Sequence, residues 1–308
     1  MTRGFFLWLS NRRSLKRLTR DVPPFWKLAS RFVAGHTLDE AMDVVRSLNR
    51  EGIRVTLDHL GENTTNPEEA VRAGEAYLEI LRRIHQEGLD ASISLKLTQM
   101  GLDLSDRIVR DIMDRIVSLA YELNNFVRID MESSAYTQKT LDLFYWLHGK
   151  YNDHVGIVIQ AYLYRSEQDI RDLIEIGANV RLCKGAYKEP PEIAFPKKRD
   201  VDENYIRLLD LLLSPEAIEK GTFTAIATHD EALIQYAKDL AAKRNISTDH
   251  FEFQMLYGIR NDLQRALVRE GYGVRVYVPF GTEWYPYFMR RLAERPANVF
   301  FLLKNLFR

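Results

Sequence analysis

Three charged residues interrupt otherwise apolar segments of the chain, and they are the first candidates for chemistry. Lys96 lies in the segment SLKL, Asp130 in RIDM and Arg181 in VRLC. An isolated charge in an apolar interior costs on the order of several kcal/mol unless a partner compensates it. Each residue alone is compatible with a structural ion pair. Together they leave an excess of positive charge, which predicts an anionic ligand between them.

Two adjacent arginines, Arg290 and Arg291, lie on a short predicted helix after the strand-like residues 274–278. Each guanidinium presents a planar donor fork that matches a carboxylate or a phosphate. Glu294 is close enough along the helix to pair with either arginine. A pair of this kind favours an anion clamp, and the alternative is a solvated helix face with local salt bridges.

A repeating pattern of strands and helices must position these residues. From residue 51 onward, short apolar runs alternate with amphipathic segments. Strands are predicted at residues 54–60, 91–97, 126–131, 155–161, 179–183, 223–228, 251–255 and 274–278. Helices are predicted at residues 67–86, 105–123, 137–151, 166–176, 202–213, 231–244 and 261–270 and after Pro286.

Eight parallel strand and helix units predict an α/β protein, a closed (β/α)8 TIM-type barrel with right-handed crossovers. The glycine pattern of dinucleotide-binding folds follows none of the strands, which disfavours an open sheet of that class. We predict two regions, an N-terminal helical arm at residues 1–50 and a catalytic barrel at residues 51–308. Within the arm, the start signal at residues 36–40 predicts a helix over residues 41–49.

In such a barrel, catalytic residues gather at the carboxyl ends of the strands. Polar residues assigned to those ends are His59, Glu62, Lys96, Asp130, Gln160, Arg181, Lys184, Tyr187, Thr228, His229, Glu252, Gln254 and Tyr277. Metal-ligand spacing is absent from this set, so no metal site is predicted. Cys183 has no histidine base nearby in the sequence and is interpreted as a small buried hydrophobe.

The composition limits the class of protein and its compartment. The 43 basic and 43 acidic residues balance, which argues against binding nucleic acid through overall charge. A single cysteine excludes a disulfide within the chain and favours a reducing compartment. No sequence segment approaches the roughly 20 apolar residues of a membrane span. We therefore expect a soluble cytoplasmic protein.

Residues 1–20 carry six basic side chains and a block of aromatic and aliphatic residues, with no acidic residue. Such a segment is suited to peripheral contact with an anionic membrane surface. The alternative is a helix that docks its aromatic end on the main domain.

Several of the strand-end motifs together resemble the proline dehydrogenase family in its single-function bacterial form. These motifs are SLKL at 94–97, RIDME at 128–132, GIVIQ at 156–160, VRLCKGAY at 180–187, ATHD at 227–230, FQMLYG at 253–258 and YPYFMRRLAE at 285–294. They follow one another in order over most of the chain. RLCKGAY together with YFMRRLAE carries most of the specificity.

The resemblance implies a barrel enzyme that uses FAD to oxidise L-proline to Δ1-pyrroline-5-carboxylate. Hydride would pass to flavin N5, with Arg181 close to that atom, and the electrons would pass to a membrane quinone. It further implies that Lys96, Arg290 and Arg291 bind the substrate carboxylate. The residues implied to pack on the substrate ring are Tyr277, Tyr285 and Leu256.

The resemblance also implies roles for the cofactor side of the site and for its entrance. Asp130 would anchor the polar network around the substrate, and Glu62 would pair with the first arginine of the clamp and act as a gate. FAD-binding residues implied by the family are Met131, Gln160, Arg181, Lys184, Gly185, Ala186, Thr228 and His229. A second, aldehyde-oxidising domain is not recognisable, so a separate pyrroline-5-carboxylate dehydrogenase is expected to take the product.

Three other functions are compatible with parts of the pattern. Lys96 at a strand end would suit a Schiff-base aldolase. Methylenetetrahydrofolate reductase shares the barrel and a flavin but has no need of a double-arginine clamp. A barrel that binds a carboxylate without turning it over is the third alternative.

Overall fold

Eight parallel strands close into a barrel in which each strand pairs with its neighbours in chain order. The computed structural model describes residue 26 and residues 29–61 and 63–294, and in the last helix it describes the side chains at 284–289 and 291. The strands are β1 (Arg54–His59), β2 (Ala91–Leu95), β3 (Val127–Ile129), β4 (Val155–Gln160), β5 (Asn179–Cys183), β6 (Phe223–Ala227), β7 (Phe251–Leu256) and β8 (Val274–Phe280). Closure is made by β1 and β8, which pair from Arg54 opposite Arg275 to His59 opposite Phe280.

Helices connect the strands on the outside of the barrel. They are α1 (Leu38–Arg50), α2 (Pro67–Glu87), α3 (Asp106–Glu122), α4 (Thr137–Tyr151), α5 (Ser166–Glu175), α6 (Lys198–Leu212), α7 (Pro215–Glu219), α8 (Glu231–Arg244), α9 (Asn261–Arg269) and α10 (Trp284–Glu294). Within the described ranges, none of these helices combines the length and apolar character that a bilayer crossing requires.

Local sequence signals explain where several helices begin. At α1, Thr37 and Glu40 form a reciprocal capping box, which confirms the start signal predicted at residues 36–40. At α2, the Asn66 side chain accepts from the Glu69 N–H and Pro67 occupies the first turn, where its missing N–H costs nothing.

The predicted barrel is confirmed, and the differences are confined to element boundaries. Helix α6 begins four residues earlier than predicted, and the short helix α7 was not predicted. Strand β8 continues through Pro279 to Phe280, because a proline at the end of a strand gives up only one ladder hydrogen bond. Helix α10 begins at Trp284, and Pro286 lies in its first turn, a position that suits proline.

In a regular barrel, the helix after the last strand packs against the outside of the barrel. Here α1 takes that place, and α10 packs elsewhere. α1 contacts both β1 and β8, and its residues Met42 and Val45 are fully buried in the main core. α10 packs instead in a separate cluster, in which Trp284 and Phe288 are buried together with Leu60, the residue after β1. The last helix therefore lies beside the carboxyl-terminal mouth of the barrel. α1, which lies in the described part of the predicted arm, packs against strands β1 and β8 on the outside of the barrel.

Candidate active site

A cavity of about 620 Å³ lies at the carboxyl-terminal end of the strands. It brings together most of the residues predicted from sequence, namely Lys96, Asp130, Met131, Gln160, Arg181, Lys184, Gly185, Ala186, Thr228, His229, Leu256, Tyr277 and Arg291. Gln254, assigned from sequence to a strand end, also lines the cavity. The sequence had not indicated a site role for other lining residues, which include Val158, Cys183, Asp230 and Met255. Six charged residues, in or next to five different elements, therefore face one cavity.

Asp130, which follows β3, is the centre of the polar network. Its Oδ1 lies 2.8 Å from Arg181 Nη1 and accepts from Ser94 Oγ at 2.6 Å. Its Oδ2 accepts from the Tyr277 hydroxyl at 2.7 Å and lies 3.7 Å from Lys96 Nζ. The carboxylate thus links β2, β3, β5 and β8 across the mouth of the barrel.

Lys96 has a second carboxylate partner, Asp58 on β1, whose Oδ2 lies 3.1 Å from Nζ. Asp58 is fully buried, and the Tyr77 hydroxyl donates to its other oxygen at 3.3 Å. Asp58 with Lys96 and Asp130 with Arg181 make two balanced pairs. The expectation that these interior cations lack compensation without a ligand was therefore wrong. The signal was present in TLDHL, where Asp58 interrupts an apolar strand in the same way as Lys96 does.

The protonation of this network follows from its contacts. Burial by itself would raise the pKa of Asp130, but Lys96 and Arg181, helped by the hydrogen bonds from Ser94 and Tyr277, hold that pKa below its usual value. Burial, followed by the nearby charge of Asp130, raises the pKa of Tyr277 well above its usual value. Asp130 is an anion and Tyr277 a neutral donor at physiological pH.

Arg181 is held on two sides. Besides its pair with Asp130, its Nε donates to Gln254 Oε1 at 2.5 Å. Gln254 in turn donates from Nε2 to Glu252 Oε1 at 2.6 Å. The carboxylate can only accept, so it turns the amide oxygen of Gln254 toward Arg181. Glu252, which sequence reasoning assigned to the carboxyl end of β7, lies at the opposite end, because it is the second residue of that strand.

Lys184, just after β5, is paired with two carboxylates that the sequence reasoning missed as its partners. Its Nζ lies 2.9 Å from Asp230 Oδ2 and 2.6 Å from Asp202 Oδ1. The next residue, Gly185, has φ +103°, and a Cβ at that position would lie 2.3 Å from the Tyr162 ring. Only glycine lets the backbone pass this closely and turn into the cavity.

The remaining predicted residues differ in how the structure places them. Arg291 lines the cavity, with its guanidinium carbon 5.2 Å from the centre of the Tyr287 ring. Tyr285 is buried in the cluster of α10 and is not a lining residue, so its predicted contact with a substrate stays a prediction. Glu62 and the side chain of Arg290 lie outside the described residues.

Cys183 and His229 complete the lining. Cys183 packs against the core but also borders the cavity, so the interpretation as a buried hydrophobe is only partly right. Burial raises the pKa of its thiol to about 12, which keeps the sulfur protonated. The Leu256 N–H donates to His229 Nε2 at 3.0 Å, which assigns that ring nitrogen as the acceptor.

The fold and this cavity define a (β/α)8-barrel protein with a charged site at the carboxyl ends of its strands, the position at which barrel enzymes act. A model of the proline dehydrogenase family matches residues 41–304 of the chain. The chain is 43% identical over 309 residues to proline dehydrogenase 2 of Bacillus subtilis, covering 99% of both proteins. It is 39% identical to the proline dehydrogenase of Deinococcus radiodurans, covering 97% of this chain and 96% of that protein. The chain belongs to the proline dehydrogenase family.

A solved structure shares the fold. Proline utilization A from Bdellovibrio bacteriovorus, inactivated by N-propargylglycine, matches with a TM-score of 0.80 and 28% identity. The match covers 87% of this chain and 32% of that longer protein. The two proline dehydrogenases above therefore match this chain over nearly their whole length, whereas proline utilization A matches it over about a third of its length.

Proposed function

We propose that this protein is an FAD-dependent proline dehydrogenase that oxidises L-proline to Δ1-pyrroline-5-carboxylate, the first step of proline catabolism. The observation that carries the proposal is the convergence of Lys96, Asp130, Arg181, Tyr277 and Arg291 on one cavity. An amino acid with a carboxylate and a secondary amine needs cationic donors at one end and an anion or a polar acceptor near the other. Membership of the family supports the same assignment.

The substrate end is assigned to the cations near α10 and β2. Arg291 offers a planar fork for the carboxylate, and Lys96 adds a point charge. We infer that Arg290 completes this clamp and that Glu62 pairs with Arg290 to gate it, although both side chains lie outside the described residues. Closing the gate would exclude water from the reacting atoms.

The side of the cavity near β4 and β5 fits a flavin. Gln160 is buried, and its side-chain oxygen has no hydrogen-bond partner in the part of the chain that the structure describes, which suits a ring N–H. Gly185 lets the backbone approach closely, and Lys184 adds a fixed cation. Met131, Ala186, Thr228 and His229 complete this side of the lining. When bound, FAD would supply the two-electron chemistry, namely acceptance at N5 of a hydride from the carbon beside the substrate nitrogen and passage of the electrons to a membrane quinone.

The residues of the chain do the electrostatic part of the reaction. Arg181 is fixed by Asp130 and Gln254, so its positive charge would stabilise negative charge on a bound flavin without reorganisation. Asp130 already accepts from Ser94, Arg181 and Tyr277. A carboxylate held by so many donors is a weak base. We therefore assign it the role of anchoring the network and not of accepting the amine proton.

The surroundings of Lys96 disfavour the aldolase alternative. A Schiff base requires a neutral amine, whereas Asp58 and Asp130 both engage the ammonium group. A lysine used in this way supplies charge and not a nucleophile.

Purification followed by anaerobic addition of L-proline tests the proposal. We expect a yellow protein whose flavin absorbance bleaches on addition of L-proline and returns with a soluble quinone analogue. A colourless protein that borohydride traps with a keto acid would support the aldolase. A colourless protein that binds a carboxylate without turnover would support the binding barrel, and either result rejects the proposal.

In the cell, we infer that the protein works on the cytoplasmic side of the membrane that holds its quinone. The basic and aromatic residues 1–20 support peripheral contact with that membrane. The product is then passed to a separate pyrroline-5-carboxylate dehydrogenase.

A further inference from the structure

A second cavity, of about 250 Å³, lies at the amino-terminal end of the barrel. Its polar lining residues come mostly from the first or second positions of their strands and are Arg54, Thr56, Ser92, Arg128, Asn179, Glu252 and Arg275. Arg181 and Gln254 border both cavities. This second cavity has no part in the proposed oxidation of proline.

The carboxylate of this cavity is already shared between two arginines. Glu252 Oε1 lies 2.7 Å from Arg275 Nε, and its Oε2 lies 3.4 Å from Arg54 Nη1. Arg54 is also 3.6 Å from Asp90, at the more exposed rim. Glu252 Oε1 also accepts from Gln254 Nε2, so both oxygens of this carboxylate are engaged. Arg181 pairs with Asp130 and not with Glu252.

Arg128 is the cation that this arrangement leaves without a carboxylate. It is only 2% exposed, and its Nη1 donates to the carbonyl oxygens of Ile157 at 2.9 Å and Asn179 at 2.6 Å. Its Nη2 donates to the Asn179 side chain, and its Nε is buried with no hydrogen-bond partner among the described residues. Among the side chains that the structure describes, no carboxylate lies within ion-pair distance of this guanidinium.

A buried guanidinium without a counter-charge is costly, because burial removes it from water and the carbonyl dipoles around it replace only part of its hydration. Burial, followed by the nearby charge of Arg181, lowers the pKa of Arg128 well below its usual value. The lowered pKa reflects the same cost of burying the positive charge. Arginine stays charged under these conditions. The Phe126 ring, whose centre lies 4.7 Å from the guanidinium carbon, and the more distant charges of Glu252 and Asp130 offset part of this penalty, and an anion in the cavity would offset more of it.

We propose that the amino-terminal cavity binds a small oxyanion against Arg128 and Arg275. The guanidinium fork matches the geometry of an oxyanion. A volume of about 250 Å³ is several times the ~30 Å³ share of one water molecule, which leaves room for inorganic phosphate with a few waters. Arg54, with a 45% exposed side chain at the rim, marks the route from solvent. The proposal does not rest on the proposed activity, because Arg128 and Arg275 line this cavity and not the one at the carboxyl-terminal end.

Thermal unfolding of the purified protein, with its flavin bound, tests the site with inorganic phosphate as the probe. Ionic strength is held constant with a bulky sulfonate that exceeds the cavity. We expect the melting temperature to rise steadily with the logarithm of phosphate concentration, by several degrees well above the dissociation constant. Titration calorimetry on the same sample is expected to give one phosphate per chain.

Ser92→Asp is the decisive variant. Ser92 is buried in the cavity with its Oγ 3.3 Å from Arg275 Nη1, so an aspartate there supplies an internal anion. We expect this variant to lose most of the phosphate-dependent rise. Arg107→Gln, at an 89% exposed side chain, and Arg291→Gln, in the other cavity, are expected to keep it.

Three results would overturn the site. They are no phosphate binding by calorimetry on the wild-type protein, an unchanged rise in Ser92→Asp, and a rise that disappears in Arg291→Gln, which would place the anion in the carboxyl-terminal cavity. If Ser92→Asp does not fold, calorimetry on the wild-type protein and on Arg291→Gln decides the matter.

Discussion

Arg181 Nη1 on β5 lies 2.8 Å from Asp130 Oδ1 just after β3. This ion pair links the two strands, and both of its residues line the cavity at the carboxyl-terminal end of the barrel. The Arg181 side chain is 8% exposed and that of Asp130 13% exposed, so water screens the pair weakly. The same contact fixes a positive charge beside the proposed flavin position and stabilises the barrel. Stability and activity are therefore expected to respond together when the pair is broken.

Asp130→Asn removes the anion from this network while keeping its shape. Arg181 then loses its carboxylate partner, and the variant is expected to lower the free energy of unfolding by about 3 kcal/mol. Activity with L-proline should fall at least about tenfold. Urea denaturation and steady-state kinetics measure the two effects. Asp153→Asn, at an exposed position, should change the free energy of unfolding by less than about 0.5 kcal/mol. Equal effects of the two substitutions would remove Asp130 from the centre of the network.

The pair between Lys96 and Asp58 can be separated from the rest by a double-mutant cycle. Lys96→Met, Asp58→Asn and the double variant are compared by chemical denaturation. Because the ammonium and the carboxylate are 3.1 Å apart and buried, we expect a coupling energy of about 1–3 kcal/mol. Additive effects within about 0.3 kcal/mol would mean that the contact contributes no coupling.

His59 gives the stability of the barrel a pH dependence. Its ring packs 5.2 Å from that of Phe280, and its Nδ1 is buried without a hydrogen-bond partner among the described residues. Burial lowers the pKa of His59, and the adjacent Asp58 opposes this only in part. The folded protein therefore holds His59 neutral, whereas the unfolded chain binds a proton below its ordinary pKa of about 6.5. This contribution to stability is present above that value and is lost as the pH falls through the folded pKa.

His59→Gln should accordingly lose less stability than the wild-type protein between about pH 7.5 and about pH 5.5. Denaturant unfolding at the two pH values measures the difference. His85→Gln, at an exposed position of α2, should keep the wild-type loss. A wild-type pH dependence in His59→Gln would contradict a neutral, buried His59.

Residues 1–20, which lie outside the described residues, are expected to matter for the membrane and not for chemistry. Their deletion should weaken sedimentation with anionic vesicles, because the segment carries only basic charges beside apolar residues. Turnover of L-proline with a soluble dye acceptor should be unchanged. Vesicles of neutral lipid serve as the control, since binding to them should be weak with or without the segment. Undiminished binding to anionic vesicles would mean that the segment only packs on the protein.

The fold was predictable because the periodicity of apolar residues and the order of strands and helices can be read directly from the sequence. Alternating apolar strands and amphipathic helices specify a barrel, and they bring Lys96, Asp130 and Arg181 to one end of it. Partnerships across the barrel were not predictable. The contact of Asp58 with Lys96 depends on the register between β1 and β2, in which Leu57 lies opposite Ile93. A strand pattern alone does not specify register.

Glu252 was placed at the wrong end of the barrel for a related reason. In a strand of six residues, a shift of two positions moves a side chain from one mouth toward the other, and the boundary of β7 is less certain from sequence than its existence. The chain from Arg181 through Gln254 to Glu252 therefore became visible only with β5, β6 and β7 assembled. Arg181 and Gln254 border both cavities, and the pattern of any one strand does not predict this.

The clamp at α10 is tested by changing the shape of a donor without changing its charge. Arg291 lines the cavity at the end of the last helix, and the Tyr287 ring lies beneath its guanidinium at 5.2 Å. Arg291→Lys keeps the positive charge but replaces the planar fork with a compact ammonium, which cannot donate two parallel hydrogen bonds to a carboxylate. The KM for L-proline is therefore expected to rise about tenfold or more, with flavin absorbance and thermal stability close to those of the wild-type protein. Arg107→Lys, at an 89% exposed position on α3, is the matched control and should leave the KM unchanged. If both variants bind proline as the wild-type protein does, Arg291 does not contact the carboxylate, and the clamp must be sought among Lys96 and the other cations of the cavity.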